Sequence, residues 1–137
     1  MARDIFHNAV REGLKKDGWR ITHEQMQLQV GGVELYIDLA AEPLIAAEKD
    51  DQKIAVEVKS FVRVSDIHEF HLAIGQYRNY SLALSIREPE RVLYLAVTEE
   101  AFNRFFTLQF VQQALQFNQV HFLVYDAQEE KIIQWQK

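Results

Sequence analysis

Apolar residues recur at every second position along several short segments of this chain, and at helical spacing along a few longer ones. In the segment KIAVEVKS, residues 53–60, the alternation has the period of a β-strand. The face opposite the apolar residues carries an acid and a base two positions apart, Glu57 and Lys59. Either both side chains simply face solvent, or they belong to a functional site that needs both charges.

The same patterns predict an ordered series of elements. The first elements are a helix over residues 4–17, a hairpin of MQLQV and VELYIDLA around Gly31-Gly32, and a second hairpin of LIAAEK and KIAVEVKS around Asp50-Asp51-Gln52. A helix follows from a cap at Ser65 to about Ile86, and after it comes a buried strand VLYLAVT. The last elements are one or two helices over residues 99–118 and the closing strands VHFLVY and KIIQW. Phenylalanines of the 99–118 segment, including Phe110 and Phe117, are expected to supply core bulk or a subunit contact. The order is αβββαβ followed by a helical and strand tail, which indicates an α/β fold with a central mixed sheet flanked by helices.

Composition narrows the classes of function. The 137 residues are 48% hydrophobic, contain no linker or repeat, and fit one domain over residues 1–137. The absence of cysteine excludes disulfides, thiolate catalysis and every cysteine-based metal site. No apolar run reaches the roughly 20 residues of a membrane span, and the N-terminus lacks a signal-peptide layout, so we expect a cytoplasmic protein with no membrane partner. A net charge of −5 argues against tight DNA binding without metal.

A second acid is a candidate partner for Glu57. Asp38 lies on the polar face of its predicted strand, nineteen positions before Glu57, which leaves room for one intervening hairpin arm. If the two strands are neighbours, the two carboxylates converge and Lys59 borders them. Two carboxylates and a strand carbonyl suit a hydrated Mg²⁺ ion. The alternative without a functional role is a surface ion pair of Glu57 and Lys59 that stabilises the fold by less than about 1 kcal/mol.

This pattern resembles a known nuclease superfamily. Asp38, followed by Glu57-Val58-Lys59 at the end of a hydrophobic strand in an αβββαβ order, is similar to the PD-(D/E)xK, or restriction-endonuclease-like, superfamily. Ile37 stands where that motif has proline. The segment Gln76-Tyr77-Arg78-Asn79-Tyr80 resembles the Q-x-x-x-Y motif of the RecB-like branch. Over the whole chain, DIFHNAVREGLKKDGW, YIDLAAEPLIAAEKDDQKIAVEVKSF and HLAIGQYRNY resemble the XisH family, the fdxN element excision controlling factors of cyanobacteria.

The resemblance implies roles for individual residues and for partners. It implies a magnesium-dependent endonuclease in which Asp38 and Glu57 bind the metal, Lys59 is the catalytic lysine, and Gln76 and Tyr80 are accessory. The family is linked to programmed DNA excision during heterocyst differentiation, together with a recombinase and the companion factor XisI. Cutting a duplex with a single-site nuclease needs two copies, so a homodimer or higher oligomer is expected. The alternative is a non-catalytic controlling factor that uses the same scaffold to bind XisI, the recombinase or DNA.

A few further residues are weaker candidates. Glu12 and His7 of the first helix are candidates for a place beside the metal, although the helix pattern favours a solvent-facing position for Glu12. Glu48 is a candidate supporting acid. His68 and His71 have the spacing of a chelating pair without an apparent third ligand. Five arginines would border a DNA path if they converged: Arg63, Arg78, Arg87, Arg91 and Arg104.

Overall fold

Six of the described strands form a mixed β-sheet in the middle of the molecule. A computed structural model describes residues 2–35, 44–61 and 66–137. The strands are β1 Arg20–Met26, β2 Leu28–Val30, β3 Val33–Leu35, β4 Leu44–Lys49, β5 Gln52–Val58, β6 Arg91–Thr98, β7 Phe122–Asp126 and β8 Lys131–Gln136. The helices are α1 Ala2–Lys16, α2 Asp66–Arg87, α3 Glu99–Ala101 and α4 Gln109–Phe117, with a π-helical segment at Phe102–Phe106.

The sheet has the strand order β1-β4-β5-β6-β7-β8. The β5/β6 and β6/β7 pairs are parallel, and the outer pairs β1/β4, β4/β5 and β7/β8 are antiparallel. This arrangement places β5 and β6 in the interior of the sheet, with a strand on both sides. The α/β fold with a mixed sheet flanked by helices is therefore confirmed.

The two faces of the sheet are covered by different helices. On one face α1 packs Val10 and Leu14 against a core that includes Val56 of β5. On the other face α2 packs Phe70 against a core that includes Ala55. Because successive strand residues point to opposite faces, β5 contributes alternately to both cores.

Both predicted hairpins are present, the first as far as Leu35, and they have different roles. The rest of the predicted arm VELYIDLA lies outside the described residues. Lys49 pairs with Gln52 across the turn Asp50-Asp51, so β4 and β5 form a tight hairpin inside the main sheet. The hairpin of β2 and β3 forms a separate two-stranded sheet that packs on α2. Its turn residues Gly31 and Gly32 have φ angles of 54° and 82°, which glycine adopts without steric cost.

Strand β1 was missed by the sequence analysis. Its sequence RITHEQM contains few apolar residues, and its pairing with β4 shifts register twice, between Ile21 and His23 and between His23 and Met26. Such shifts break the two-residue period on which the prediction relied. None of the described helices has the length and apolar character needed to cross a membrane.

The phenylalanine-rich region divides between core and surface. Phe105 and Phe106 are buried and join an aromatic cluster with Phe61 and Phe70. The nine-residue helix α4 buries Val111 and Leu115, one turn apart. Its other aromatics, Phe110 and Phe117, lie off that stripe and are 62% and 87% exposed. The expectation that these two side chains fill the core is wrong, whereas a subunit contact through them stays a prediction.

Candidate functional site

Glu57 is a buried acid near the end of an interior strand. Its main chain lies between Leu44 of β4 and Leu95 of β6, and the residue is 1% exposed. It shares a face of β5 with Ala55, so its carboxylate points to the side of the sheet that α2 covers. Burying a carboxylate is costly unless other groups stabilise its charge.

Lys59 supplies a positive charge next to this acid. Its Nζ lies 3.7 Å from Oε2 of Glu57, and its side chain is 16% exposed. Its backbone N–H donates to the carbonyl of Ala96 at 3.0 Å, which continues the pairing with β6 beyond the end of β5. The sheet itself therefore fixes the main chain of both charged residues.

Gln76 connects the ion pair to α2. Its Oε1 accepts a hydrogen bond of 2.6 Å from Nζ of Lys59. Tyr80, one helical turn later, is buried with the inward side of the helix. The structure thus brings together Glu57, Lys59 and Gln76, three of the residues that the sequence analysis singled out.

Asp38 lies outside the described residues. The chain enters the described part again at Leu44, whose main chain pairs with that of Glu57. The convergence of two carboxylates therefore stays a prediction, and the described part of the site consists of Glu57, Lys59 and Gln76.

His7 and Glu12 lie on α1, which covers the opposite face of the sheet from Glu57. Nε2 of His7 lies 3.5 Å from Oε1 of Glu24, and Oε2 of Glu12 lies 3.5 Å from Nζ of Lys15 and 3.4 Å from Nε of Arg11. These residues form a charged cluster between α1 and β1. The structure does not bring them to the Glu57 side chain, and their accessory role stays a prediction.

The other weak candidates are also dispersed. Glu48 lies 3.1 Å from Nη2 of Arg20 and 3.8 Å from Nη2 of Arg91. His68 and His71 are exposed on α2, and within the described ranges no group of three or more histidines and acids is arranged to hold a metal. The side chain of Arg91 is 4% exposed and donates to the carbonyl of Ile54, so it cannot border a DNA path.

The backbone after Lys59 takes up a conformation that the sequence did not predict. Phe61, two residues after Lys59, has a φ angle of 53° and is buried. This conformation is unfavourable for a bulky residue. Nη2 of Arg104 donates to its carbonyl at 2.8 Å, while Nε of Arg104 donates to Asp66 at 2.8 Å. Arg104 thus joins the end of the β5 segment to the start of α2, a role that no local sequence signal indicates.

Tyr77 braces α2 against the sheet beside the site. Its hydroxyl donates to the carbonyl of Leu93 at 2.8 Å and accepts from the N–H of His121 at 2.9 Å. Burial raises the pKa of Tyr77 to about 12, and the negative charge of Glu57 acts in the same direction. The phenol is therefore a neutral structural group at ordinary pH.

The donor set suits a hydrated hard cation better than an all-protein cage. Mg²⁺ prefers oxygen ligands and usually keeps several waters, so one or two carboxylates suffice when a phosphate supplies further ligands. Within the part of the chain that the structure describes, Glu57 is the acid at the end of β5, and the ammonium of Lys59 stands 3.7 Å away. The residues present fit such an ion if Asp38 provides the second carboxylate.

Comparisons with known proteins place the chain in a family. The family model described as XisH protein matches residues 1–133. The chain belongs to the XisH family. The fold is shared with an XisH family protein from Nostoc punctiforme PCC 73102, with 50% identity, a TM-score of 0.90, and coverage of 98% of this chain and 100% of the other.

A second solved structure is similar to the same degree. It is an fdxN element excision controlling factor protein from Anabaena variabilis, with 50% identity, a TM-score of 0.90, and coverage of 98% of this chain and 99% of the other. No curated protein matches the chain.

Proposed function

We propose that this XisH family member acts on DNA in the control of element excision, as a magnesium-dependent endonuclease. The observation that carries the proposal is the buried Glu57 carboxylate with the Lys59 ammonium 3.7 Å away. A 50% identical protein of the same fold is an fdxN element excision controlling factor, which supports the link to excision.

Each residue of the site has a chemical task in this proposal. Asp38 and Glu57 would hold the cation, which supplies charge stabilisation and a more acidic bound water. The ammonium of Lys59 would stabilise negative charge that develops on the scissile phosphate. Gln76 would orient that ammonium, because its amide oxygen accepts one of the three N–H groups of Lys59.

The second candidate is a controlling factor without catalysis. One observation favours it: Glu57 is 1% exposed and already faces a lysine that neutralises its charge. In this reading the nuclease-like scaffold is retained, and the protein acts by binding the companion factor XisI, a recombinase or DNA. The net charge of −5 suits protein contacts better than contacts with phosphates.

A cleavage assay separates the two candidates. Purified protein would be incubated with supercoiled, linear duplex and single-stranded DNA, with Mg²⁺ or with EDTA. We expect magnesium-dependent nicking that falls by about 10²-fold or more in Asp38→Ala, Glu57→Gln and Lys59→Ala, since each change removes either a charged ligand of the cation or the ammonium that faces the phosphate.

Lys53→Ala is the matched control. Lys53 lies on the same strand and the same face as Lys59, roughly 20 Å away along β5, and should leave the rate unchanged. Folded protein that cuts none of these substrates, or cutting that survives in Lys59→Ala, would reject the nuclease. Tight XisI binding by the non-cutting protein would support the controlling factor.

A further inference from the structure

Helix α2 carries a buried apolar stripe and, on the opposite side, an exposed stripe with three large apolar residues. The buried stripe contains Phe70, Ala73, Tyr77, Tyr80 and Leu84, and it packs on the sheet. The exposed stripe is offset from it by two positions, which corresponds to about 200° around a helix. Its members are His68, Leu72, Gly75, Asn79, Leu82 and Ile86.

The exposed stripe has the spacing of a helix-pairing seam. Its members are separated alternately by four and three residues, the pattern of the core positions in a coiled coil. Leu72, Leu82 and Ile86 are 51%, 62% and 58% exposed. Three large apolar side chains exposed along one side of a helix mark that side as a candidate contact surface.

Gly75 sits in the middle of this stripe, and within the part of the chain that the structure describes nothing lies against it. A Cβ built at Gly75 would meet nothing within 4 Å. Glycine in a helix interior costs about 1 kcal/mol relative to alanine. A missing side chain at the centre of a seam does, however, allow a second helix to approach closely.

The stripe is complementary to itself when it is read in the opposite direction. An antiparallel copy centred on position 77 places Leu72 opposite Leu82 of the second copy and Gly75 opposite Asn79 of the second copy. The same register places His68 opposite Ile86 of the second copy. A two-fold symmetric interface requires this property, because each contact must occur twice with the roles exchanged.

A hollow in the surface lies where this register needs one. It has a volume of about 210 Å³ and is lined by Val30 and Val33 of the β2/β3 hairpin and by Asn79, Leu82 and Ala83 of α2. Leu72 of the second copy would lie opposite Leu82, at this hollow. The hairpin therefore extends the contact beyond the two helices.

The charges at the helix ends are complementary in the same arrangement. The first turn of α2 carries Glu69 and Asp66, of which Asp66 is already paired with Arg104 inside the chain, and the last turn carries Arg87. Antiparallel pairing brings Arg87 of the second copy within one turn of those acids.

We propose that two copies of this chain pair through the exposed stripe of α2 in an antiparallel, two-fold arrangement. Asn79, facing the open space beside Gly75 of the second copy, would fix the register, as single polar residues do in helix pairs. The proposal does not depend on nuclease activity.

Sedimentation velocity across the micromolar range tests the pairing. The wild type is expected to be a dimer, and Leu72→Glu and Leu82→Glu are expected to be monomers. Phe117→Glu is the matched control: it also places an acid at an exposed apolar position, 87% exposed on α4, and should remain dimeric. Unchanged circular dichroism would show that the variants fold, since both leucines are exposed.

Disulfide trapping tests the register, because the chain contains no cysteine. A mixture of Leu72→Cys and Leu82→Cys proteins should form a cross-linked pair on mild oxidation, whereas either protein alone should not. A monomeric wild type, a dimer that survives Leu72→Glu, or efficient cross-linking of Leu72→Cys with itself would each overturn the proposal. A species that assembles only with a companion protein would do so as well.

Discussion

Glu57 and Lys59 illustrate how far single residues can be interpreted from a sequence. Their alternation with apolar neighbours predicted a shared face, and the structure confirms it with a separation of 3.7 Å between Nζ and Oε2. Their burial could not be predicted, because a half-exposed and a fully covered strand face can carry the same short pattern. The contact between Lys59 and Gln76 depends on the docking of α2, which sequence spacing does not specify.

The hydroxyl of Tyr77 should contribute more to the stability of the fold than an exposed hydroxyl does. In Tyr77→Phe the carbonyl of Leu93 and the N–H of His121 lose their partner in a buried place, so we expect a loss of about 1–3 kcal/mol in the free energy of unfolding. Urea unfolding at neutral pH measures it. Ser85→Ala also removes one hydroxyl, but an exposed one, and should change stability by under about 0.5 kcal/mol. Equal effects in the two variants would contradict this view of Tyr77.

The same residue gives a signed dependence on pH. The folded protein keeps the Tyr77 proton up to a pKa of about 12, whereas the unfolded chain releases it near 10. The folded state therefore binds more protons between these values, and stability falls as pH rises from about 10 to about 12. Tyr77→Phe should show a shallower decline over this interval in parallel unfolding measurements.

At the scale of elements, the helices were easier to predict than the edge of the sheet. Helix α2 agrees closely with its prediction because its inward residues repeat at helical spacing over 22 residues. Strand β1 was missed because two register shifts interrupt its alternation. The sequence therefore predicted five of the six described strands of the main sheet. Both neighbours of β5 in that sheet, β4 and β6, were among the predicted strands.

Two helical glycines should respond in opposite directions to the same substitution. A Cβ at Gly13 would lie 3.1 Å from the backbone N of Ile132 and 3.2 Å from Cα of Lys131, so Gly13→Ala should push α1 from β8 and cost about 1–3 kcal/mol. Gly75→Ala meets no such obstacle, and in the Leu72→Glu background it should stabilise the monomer by about 0.5–1 kcal/mol. Thermal unfolding of both variants checks the signs. Destabilisation by Gly75→Ala in that background would mean that an unrecognised neighbour lies against it.

At the scale of the whole molecule, the net charge sets conditions for any contact with DNA. A chain with charge −5 repels phosphates on average, so contact with DNA requires a local basic stripe or a bound divalent cation that reverses the local potential. We expect DNA binding in Mg²⁺ or Ca²⁺ that weakens by at least about tenfold in EDTA at equal ionic strength. Fluorescence anisotropy with a labelled duplex measures it, and Glu57→Gln should bind equally in the presence and absence of the cation. Tight binding in EDTA would contradict a metal-mediated contact.

The parallel pairing in the middle of the sheet also determines when the site comes into existence. Strands β4 and β5 are joined by a two-residue turn, so they can pair as a local hairpin. The parallel pairing of β5 with β6, which places Lys53 beside Arg91, instead requires α2 to cross the sheet between the two strands. Closing such a long loop has an entropic cost that must be met before the contacts form. Gln76 lies on the crossing helix α2, whereas Glu57 and Lys59 belong to the segment of the earlier β4/β5 hairpin. During synthesis the chain therefore contains Glu57 and Lys59 before it contains Gln76. The arrangement of all three residues is complete only in the folded protein.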